Sequence, residues 1–500
     1  NDPDYDPDAE IASAGSWAFG IDLHWLPHAH GAIEVARSVK RAHPDAPVIL
    51  GGLSSTYYHD ELIEYPCIDY VIRGDSTEEP MRQLLEALDG DGDVSEVENL
   101  TYRRDGETIV NPLTFRPDSL DYASIPSYTY TIRSVFKYGS IQKITPHSGW
   151  WDDTTTMLLT ARGCRHACAF CGGANSYEDV FPADGPAQRS PEKLIEDIRT
   201  ITSFSSGPIF VVHDLRMGGR EYAEEFFDRL EAENVDNEFV FELFGPAREE
   251  YFERIDRAVD KYSLELSPES HVESVRQKLG KFAVPNHKIE ETIGYALDNG
   301  CRNIDIFFMI GLPDQTYEDA VGCVEYAGKL LAEYDDDRIK PFVAPLAPFL
   351  DPGSPAFEYP DEYGYTLLAE SFEDHRQTLL EPSWKYMLTY ETEHLSRDDI
   401  VDATYEAGQA MNELKFEHGI IDAETYEEIS ENLKVSSRIV EQIDEVYDDP
   451  TVNRDEAIAE IVADHGDVLE HSIAGENELS WSNHGLRDLF SVAGLRAKVI

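Results

Sequence analysis

The stretch Cys164-Arg165-His166-Ala167-Cys168-Ala169-Phe170-Cys171 decides how the rest of this 500-residue chain is read. It gathers three of the six cysteines into eight positions. Scattered cysteines fall into such a CxxxCxxC spacing in roughly one chain in a thousand of this composition, so the spacing reports a metal-binding loop. Cys67, Cys301 and Cys323 sit in apolar surroundings and read as small buried hydrophobes. Six cysteines are too few for a disulfide framework, which points to a reducing compartment. Two metal chemistries are open to the loop. Three thiolates with His166 or His213 would make a tetrahedral zinc site, although structural zinc usually pairs two CxxC knuckles and no second knuckle is present. Alternatively, three thiolates hold three irons of a [4Fe–4S] cubane and leave the fourth open to an exogenous ligand.

Outward from the loop, strands and helices alternate. Residues 157–160 read as a strand feeding the cysteines, and Ser190-Pro191-Glu192 supplies an N-cap, a proline at the first helical position and an acid in the first turn of a helix to 202. Further strands are expected at 209–213, 238–244, 263–266, 303–310 and 339–346, with a helix at 221–233. Thr316-Tyr317-Glu318-Asp319 resembles a capping box with Asp in the usual Glu place, opening a helix to 333. Six β/α repeats make an incomplete relative of the eightfold barrel, whose active sites lie at the carboxyl ends of the strands.

Before the loop the same alternation appears at smaller scale. Strands at 17–23, 47–50 and 68–72 and helices at 32–42, 58–64 and 80–88 predict a doubly wound parallel sheet that binds ligands at its carboxyl edge. Three strands are few for such a sheet, so the domain reads as a truncated Rossmann-like one. A hairpin is expected at 99–110 around Asp105-Gly106, and 112–153 is rich in Pro, Tyr and Ser without a period. After about residue 365 the pattern is acidic and helical, near 397–418, 423–446 and 455–464. The expected domains are therefore 1–95, a linker with a hairpin at 96–153, a core at 154–360 and a helical accessory region at 361–500.

Charge narrows the partners. Lys and Arg total 41 against 98 Asp and Glu, a formal charge of −57 that would repel phosphate backbones and argues against nucleic acid. The excess is spread along the whole chain, as on proteins that work in very high salt, where self-repulsion is screened. No run approaches the roughly 18 apolar residues of a membrane span, the most apolar stretch being 304–312, so a cytoplasmic protein is expected. The sequence starts at Asn1, and an upstream segment, with any targeting signal, is expected to lie outside it.

The segment 164–171, including Phe170 just before the third cysteine, resembles the radical S-adenosylmethionine (SAM) superfamily. Ile209 to Asp214 is similar to that family's second strand, which implies Asp214 near the SAM amino group. Leu264 to Ser270 resembles the fourth-strand "G-x-E-S" element, with Ser267 in place of Gly and Glu269 as the polar contact. Phe308-Met309-Ile310-Gly311-Leu312-Pro313 is similar to the "GLPGE" element, with Asp314-Gln315 in place of Gly-Glu. Pro348 to Ser354 resembles the "P-x-P-G-T" turn. In the first domain, His24-Trp25-Leu26 stands at the "S-x-L" element of a cobalamin-binding fold, Val48 to Gly52 at its "GG" strand end, and Asp69 to Asp75 at its "D-Y-V-x-R-G-E" element. This implies His24, Leu26, Gly51, Gly52 and Gly74 as cobalamin contacts. The loop with an axial "D-x-H-x-x-G" histidine does not occur in this sequence, and His28 and His30 read as ordinary satisfied histidines.

Taken together, the resemblance implies an α/β fold: a partial (β/α)6 TIM-like radical SAM barrel, preceded by a truncated Rossmann-like cobalamin-binding domain and followed by a helical region. With its acidic composition it looks like halophilic archaeal members. The implied chemistry is reductive cleavage of SAM to a 5′-deoxyadenosyl radical by a [4Fe–4S] cluster on Cys164, Cys168 and Cys171, with SAM held by Phe170, Asp214, Ser267, Glu269 and Gly311. The implied enzyme is cobalamin-dependent, takes its electron from a donor such as ferredoxin or flavodoxin, and methylates or otherwise remodels an unactivated carbon of a small metabolite or lipid-like molecule. Two rivals stay open at this point: the same radical core with an N-terminal domain that binds nothing, and a noncatalytic zinc protein.

Overall fold

Two sheets, one mixed and one all-parallel, organise the chain in a computed structural model that describes residues 6–90, 92–123, 155–173, 180, 185–203 and 205–465. The first carries β1 (Phe19–Asp22), β2 (Val48–Gly51) and β3 (Tyr70–Ile72) in parallel, followed by the antiparallel hairpin β4 (Leu100–Arg104) and β5 (Glu107–Val110). Alternation along β2 sends Val48 and Leu50 to one face, against Ile33, Ala36 and Val39 of α1 (Ala29–Ala42). Ile49 goes to the other face, with Leu84 of α2 (Glu78–Leu88). Helices on both faces explain why the strands are short apolar runs.

The expected hairpin is not part of a separate linker. It pairs with β3 in antiparallel register and stacks Tyr102 on Tyr70, so the sheet has five strands where three were expected. The helix expected at 58–64 also differs, forming two short pieces, Leu53–Tyr57 and His59–Leu62. The part of the Pro- and Tyr-rich stretch from 124 to 153 lies outside the described residues.

The second sheet holds six strands, all parallel and neighbours in chain order: β6 (Thr156–Leu159), β7 (Ile209–Val212), β8 (Phe239–Leu243), β9 (Tyr262–Glu269), β10 (Ile304–Ile310) and β11 (Ile339–Pro345). One residue parity, such as Ile209, Phe239, Phe241, Leu264 and Ile306, packs outward into the main core with α3 (Pro191–Thr202), α4 (Arg220–Glu233) and α5 (Glu249–Ala258). The other parity lines the interior, as in an open (β/α)6 barrel. Ser190 caps α3 by accepting from Lys193 N, and Thr316 with Asp319 forms the reciprocal capping box. The helix it opens breaks at Gly322 into Tyr317–Val321 and Cys323–Tyr334. The ring of His271 packs there, 3.3 Å from where a Cβ would stand.

β9 runs to Glu269, longer than its apolar pattern, and its register to β10 slips between Leu266 and Glu269. Glu269 takes a positive φ of 63°, a strained conformation for a residue with a side chain. From 361 to 465 the chain is mainly helical, as expected, but it also contains the strand pair β12 (Tyr365–Leu367) and β13 (Tyr390–Thr392). Strands of three residues leave no readable period. Tyr365 and Tyr390, with Ile400, Ala403, Ala407 and Met411 of the long helix Arg397–Glu417, belong to the same apolar cluster as the barrel, and that helix lies on β11. Among the described residues no helix is long and apolar enough to cross a membrane.

The two sheets meet through the 349–376 segment. Tyr57 Oη donates to Glu358 at 2.6 Å, Tyr58 Oη to the Glu370 carbonyl at 2.9 Å, and Phe349 and Phe372 join the core of the first sheet.

Candidate functional site

The cysteine loop leaves the barrel just past β6 and is clasped from two sides. Ala169 N donates to the Leu279 carbonyl at 2.8 Å, and Gly280, at φ 79°, lies so close that an added Cβ would stand 3.1 Å from the Ala167 carbonyl. From the other side Ala356 N reaches the Ala169 carbonyl at 2.8 Å, Asp351 N the Phe170 carbonyl at 3.2 Å, and the Asp351 carboxylate accepts from Gly172 N at 2.9 Å. Phe170 itself packs against the barrel core.

The sulfurs are prepared as ligands. Backbone N–H groups of His166 and Gly173 point at Cys164 Sγ and Cys171 Sγ, each at 3.4 Å. Burial pushes the Cys168 thiol up to about 12 and that of Cys171 up to about 11, and raises Cys164 as well. A metal binding there would displace protons. His166 and His213 both set their rings against Phe244, with centroids 6.1 and 5.6 Å away. A cubane, which spreads its thiolates over separate irons, suits a set of three cysteines on one loop.

Of the residues expected around SAM, Asp214 has a different part. Its carboxylate accepts from Arg216 Nε at 2.8 Å, from Arg216 Nη2, from Arg216 N at 3.0 Å and from Phe244 N at 3.0 Å. With its acceptor sites filled it clamps the end of β7 to β8 and offers no free oxygen to an amino group. The sequence could show an acid at a strand end, but not the arginine two residues on folding back over it. Gly311 is likewise explained from behind: Tyr390 Oη would be 2.9 Å from its Cβ, and Tyr365 Oη donates to its carbonyl. Gln315, a departure from the family pattern, closes this turn by accepting from Gly311 N at 2.9 Å and donating to the Met309 carbonyl at 2.9 Å. Ser267 is half-buried on the interior parity of β9. Glu269 is buried, pairs through one oxygen with Lys281, and keeps Oε2 buried without a hydrogen-bond partner. A bound amino or hydroxyl group would satisfy that orphaned acceptor, so this corner fits a SAM-like ligand.

Sequence reasoning missed the acids inside the barrel. Glu242, Glu265 and Asp305 stand in register on β8, β9 and β10. Burial first, then the neighbouring Glu242 and Asp305, push the Glu265 carboxyl up to about 8 from an ordinary 4.5. The folded state thus holds a proton that the unfolded state gives up, and the stability tied to it is lost as pH rises from about 4.5 through about 8. Glu265→Gln mimics the protonated form. It is expected to match the parent at pH 5 and to be more stable by roughly 2 kcal/mol at pH 8, about half what an isolated group with this shift would give. Urea unfolding at both pH values checks this, and a variant less stable at pH 8 would refute it.

The carboxyl ends of β1–β3 face this loop. Arg162, two residues before Cys164, donates to Ser76 Oγ at 3.3 Å and to Glu78 Oε1 at 2.8 Å. His24 acts electrostatically on both Asp75 of the first sheet and Asp351 of the clasp, whose carboxyls are raised chiefly by burial. Gly51 and Gly74 lie on the same edge, with Gly74 N bonded to Thr56 Oγ1 at 2.8 Å. Two of the expected cobalamin contacts do other work. A Cβ on Gly52 would meet His24 N at 2.6 Å, so that glycine serves the crossing of two strand ends, and Leu26 is buried in the sheet's own core. His30 Nδ1 lies 3.0 Å from Arg376 Nη1, and His28 is exposed.

Residues 158–327 match the model of the radical SAM superfamily. The matched stretch carries the cysteine loop and the strands β7 to β10. Among curated proteins, an uncharacterized methyltransferase of Pyrococcus horikoshii, PH0819, is 23% identical over 312 residues, 61% of this chain and 62% of that protein. The chain thus spans less than two thirds of that relative's length. Among solved structures, the radical SAM methyltransferase TsrM from Kitasatospora setae, with cobalamin and a [4Fe–4S] cluster bound, superposes with a TM-score of 0.57 at 14% identity, over 84% of this chain and 81% of that one. The cobalamin-dependent radical enzyme OxsB gives 0.55 at 14% identity, over 98% of this chain and 72% of that one. At these identities the shared property is the fold.

Proposed function

We propose that this chain is a cobalamin-dependent radical SAM enzyme that methylates an unactivated carbon of a small molecule. The observation that carries the reading is the cysteine loop at the carboxyl end of the first barrel strand, facing the carboxyl edge of a second parallel sheet. Each edge is where its fold keeps ligands. Cys164, Cys168 and Cys171 would hold three irons of a [4Fe–4S] cluster, which when bound supplies the electron that cleaves SAM. Phe170, Ser267, Glu269 and Gly311 border the SAM position, with the orphaned Glu269 oxygen as acceptor. His24, Gly51 and Gly74 border the corrin position, and the exposed indole of Trp25 stands beside His24 on that edge.

Methyl transfer is supported by the kinship with PH0819 and the fold shared with TsrM. The charge of −57 supports a protein suited to high salt, and a ferredoxin or flavodoxin type of donor in a reducing cytoplasm would supply electrons. The test is anaerobic reconstitution in high salt with iron and sulfide, followed by reductant, SAM and methylcobalamin. Both 5′-deoxyadenosine and S-adenosylhomocysteine are expected by mass spectrometry. Deoxyadenosine without cobalamin binding would leave only the radical core of the reading, and neither product from a cluster-loaded chain would sink it.

A further inference from the structure

We propose that Lys281 is a positioning residue for the cluster, a buried counter-charge that acts with Glu269 to set the potential at which the cluster accepts its electron. This rests on the cluster reading above. The Lys281 ammonium is paired with the Glu269 carboxylate, the two side chains being 11% and 3% exposed, and it lies 5.4 Å from the centre of the Phe244 ring. The residues just before it, Leu279 and Gly280, pack on the backbone of the cysteine loop, where Ala169 N donates to the Leu279 carbonyl at 2.8 Å.

Both members are held by the backbone. Gly280, the left-handed cap of the helix Glu273–Leu279, donates to the Arg276 carbonyl at 3.1 Å and packs on the cysteine loop, so the next residue starts from a fixed point beside that loop. Glu269 sits on the strained end of β9. A buried ion pair contributes little to folding once desolvation is counted, and a strained residue persists where a site requires it. Beside three metal-ligating thiols the pair has an evident use. Reduction adds one negative charge, which a fixed cation stabilises and a fixed anion opposes, most strongly where water is excluded.

The two residues therefore have opposite effects, which a merely structural role would not produce. In the full chain, reconstituted anaerobically and free of SAM, redox titration followed by electron paramagnetic resonance gives the cluster midpoint. Lys281→Met is expected to lower it by at least a tenfold change in the reduction equilibrium, about 59 mV for one electron. Glu269→Gln is expected to raise it, and Lys281→Arg to stay near the parent. Midpoints that move in the same direction, or do not move, overturn the proposal while leaving the cluster reading intact. If Lys281→Met fails to fold or load, Glu269→Gln decides alone: no upward shift overturns the proposal. A parent chain that takes up no cluster would overturn the reading beneath it.

Discussion

Cys168→Ala is expected to leave a folded chain that no longer retains about four irons and forms no deoxyadenosine. The thiol is half-buried in a loop whose backbone is fixed by bonds from Leu279, Asp351 and Ala356, none of which uses the sulfur. Losing it costs the apoprotein about 1 kcal/mol as a small cavity. The cluster loses one of three protein ligands. Iron analysis and the visible spectrum after reconstitution, alongside unfolding of the apoproteins, separate the two effects. A variant that keeps its iron would show that the thiols are not the ligands.

The largest stability effect is expected at Arg189→Met, about 4 kcal/mol. Arg189 and Asp197 form a buried bidentate pair, 5% and 7% exposed, with Nη2 to Oδ1 at 2.9 Å. Nη1 also donates to the Leu120 and Ala123 carbonyls at 2.7 and 2.8 Å, tying the chain that leaves the first sheet onto the barrel. Removing the guanidinium strands the Asp197 charge in the interior. The double variant Arg189→Met with Asp197→Leu should regain a good part of the loss, because burying neither charge costs less than burying one. Urea unfolding of parent, single and double variants measures both quantities. A single variant within 1 kcal/mol of the parent would contradict the account.

Much of this was legible because the signals are local. The cysteine spacing, the cap at Ser190, the Thr316 to Asp319 box and the apolar runs of six parallel strands all lie within windows of a few residues. What escaped is what the tertiary fold decides. Asp214 is consumed by Arg216, Gly52 by His24 and Gly311 by Tyr390, the last across some 80 residues of sequence. The Glu242, Glu265 and Asp305 row depends on strand register, which hydrophobic pattern alone does not give between parallel strands. The nearness of Lys281 to the cysteine loop comes from its helix packing on that loop, a tertiary contact that no local pattern shows.

Three cysteines would leave one iron of a cubane open to SAM. Electron paramagnetic resonance of the reduced, reconstituted chain with and without SAM tests it most directly. The expected result is a [4Fe–4S] signal that changes on adding SAM, as the open iron gains ligands. A signal that SAM leaves untouched, or a chain that loads zinc and no iron, would contradict it.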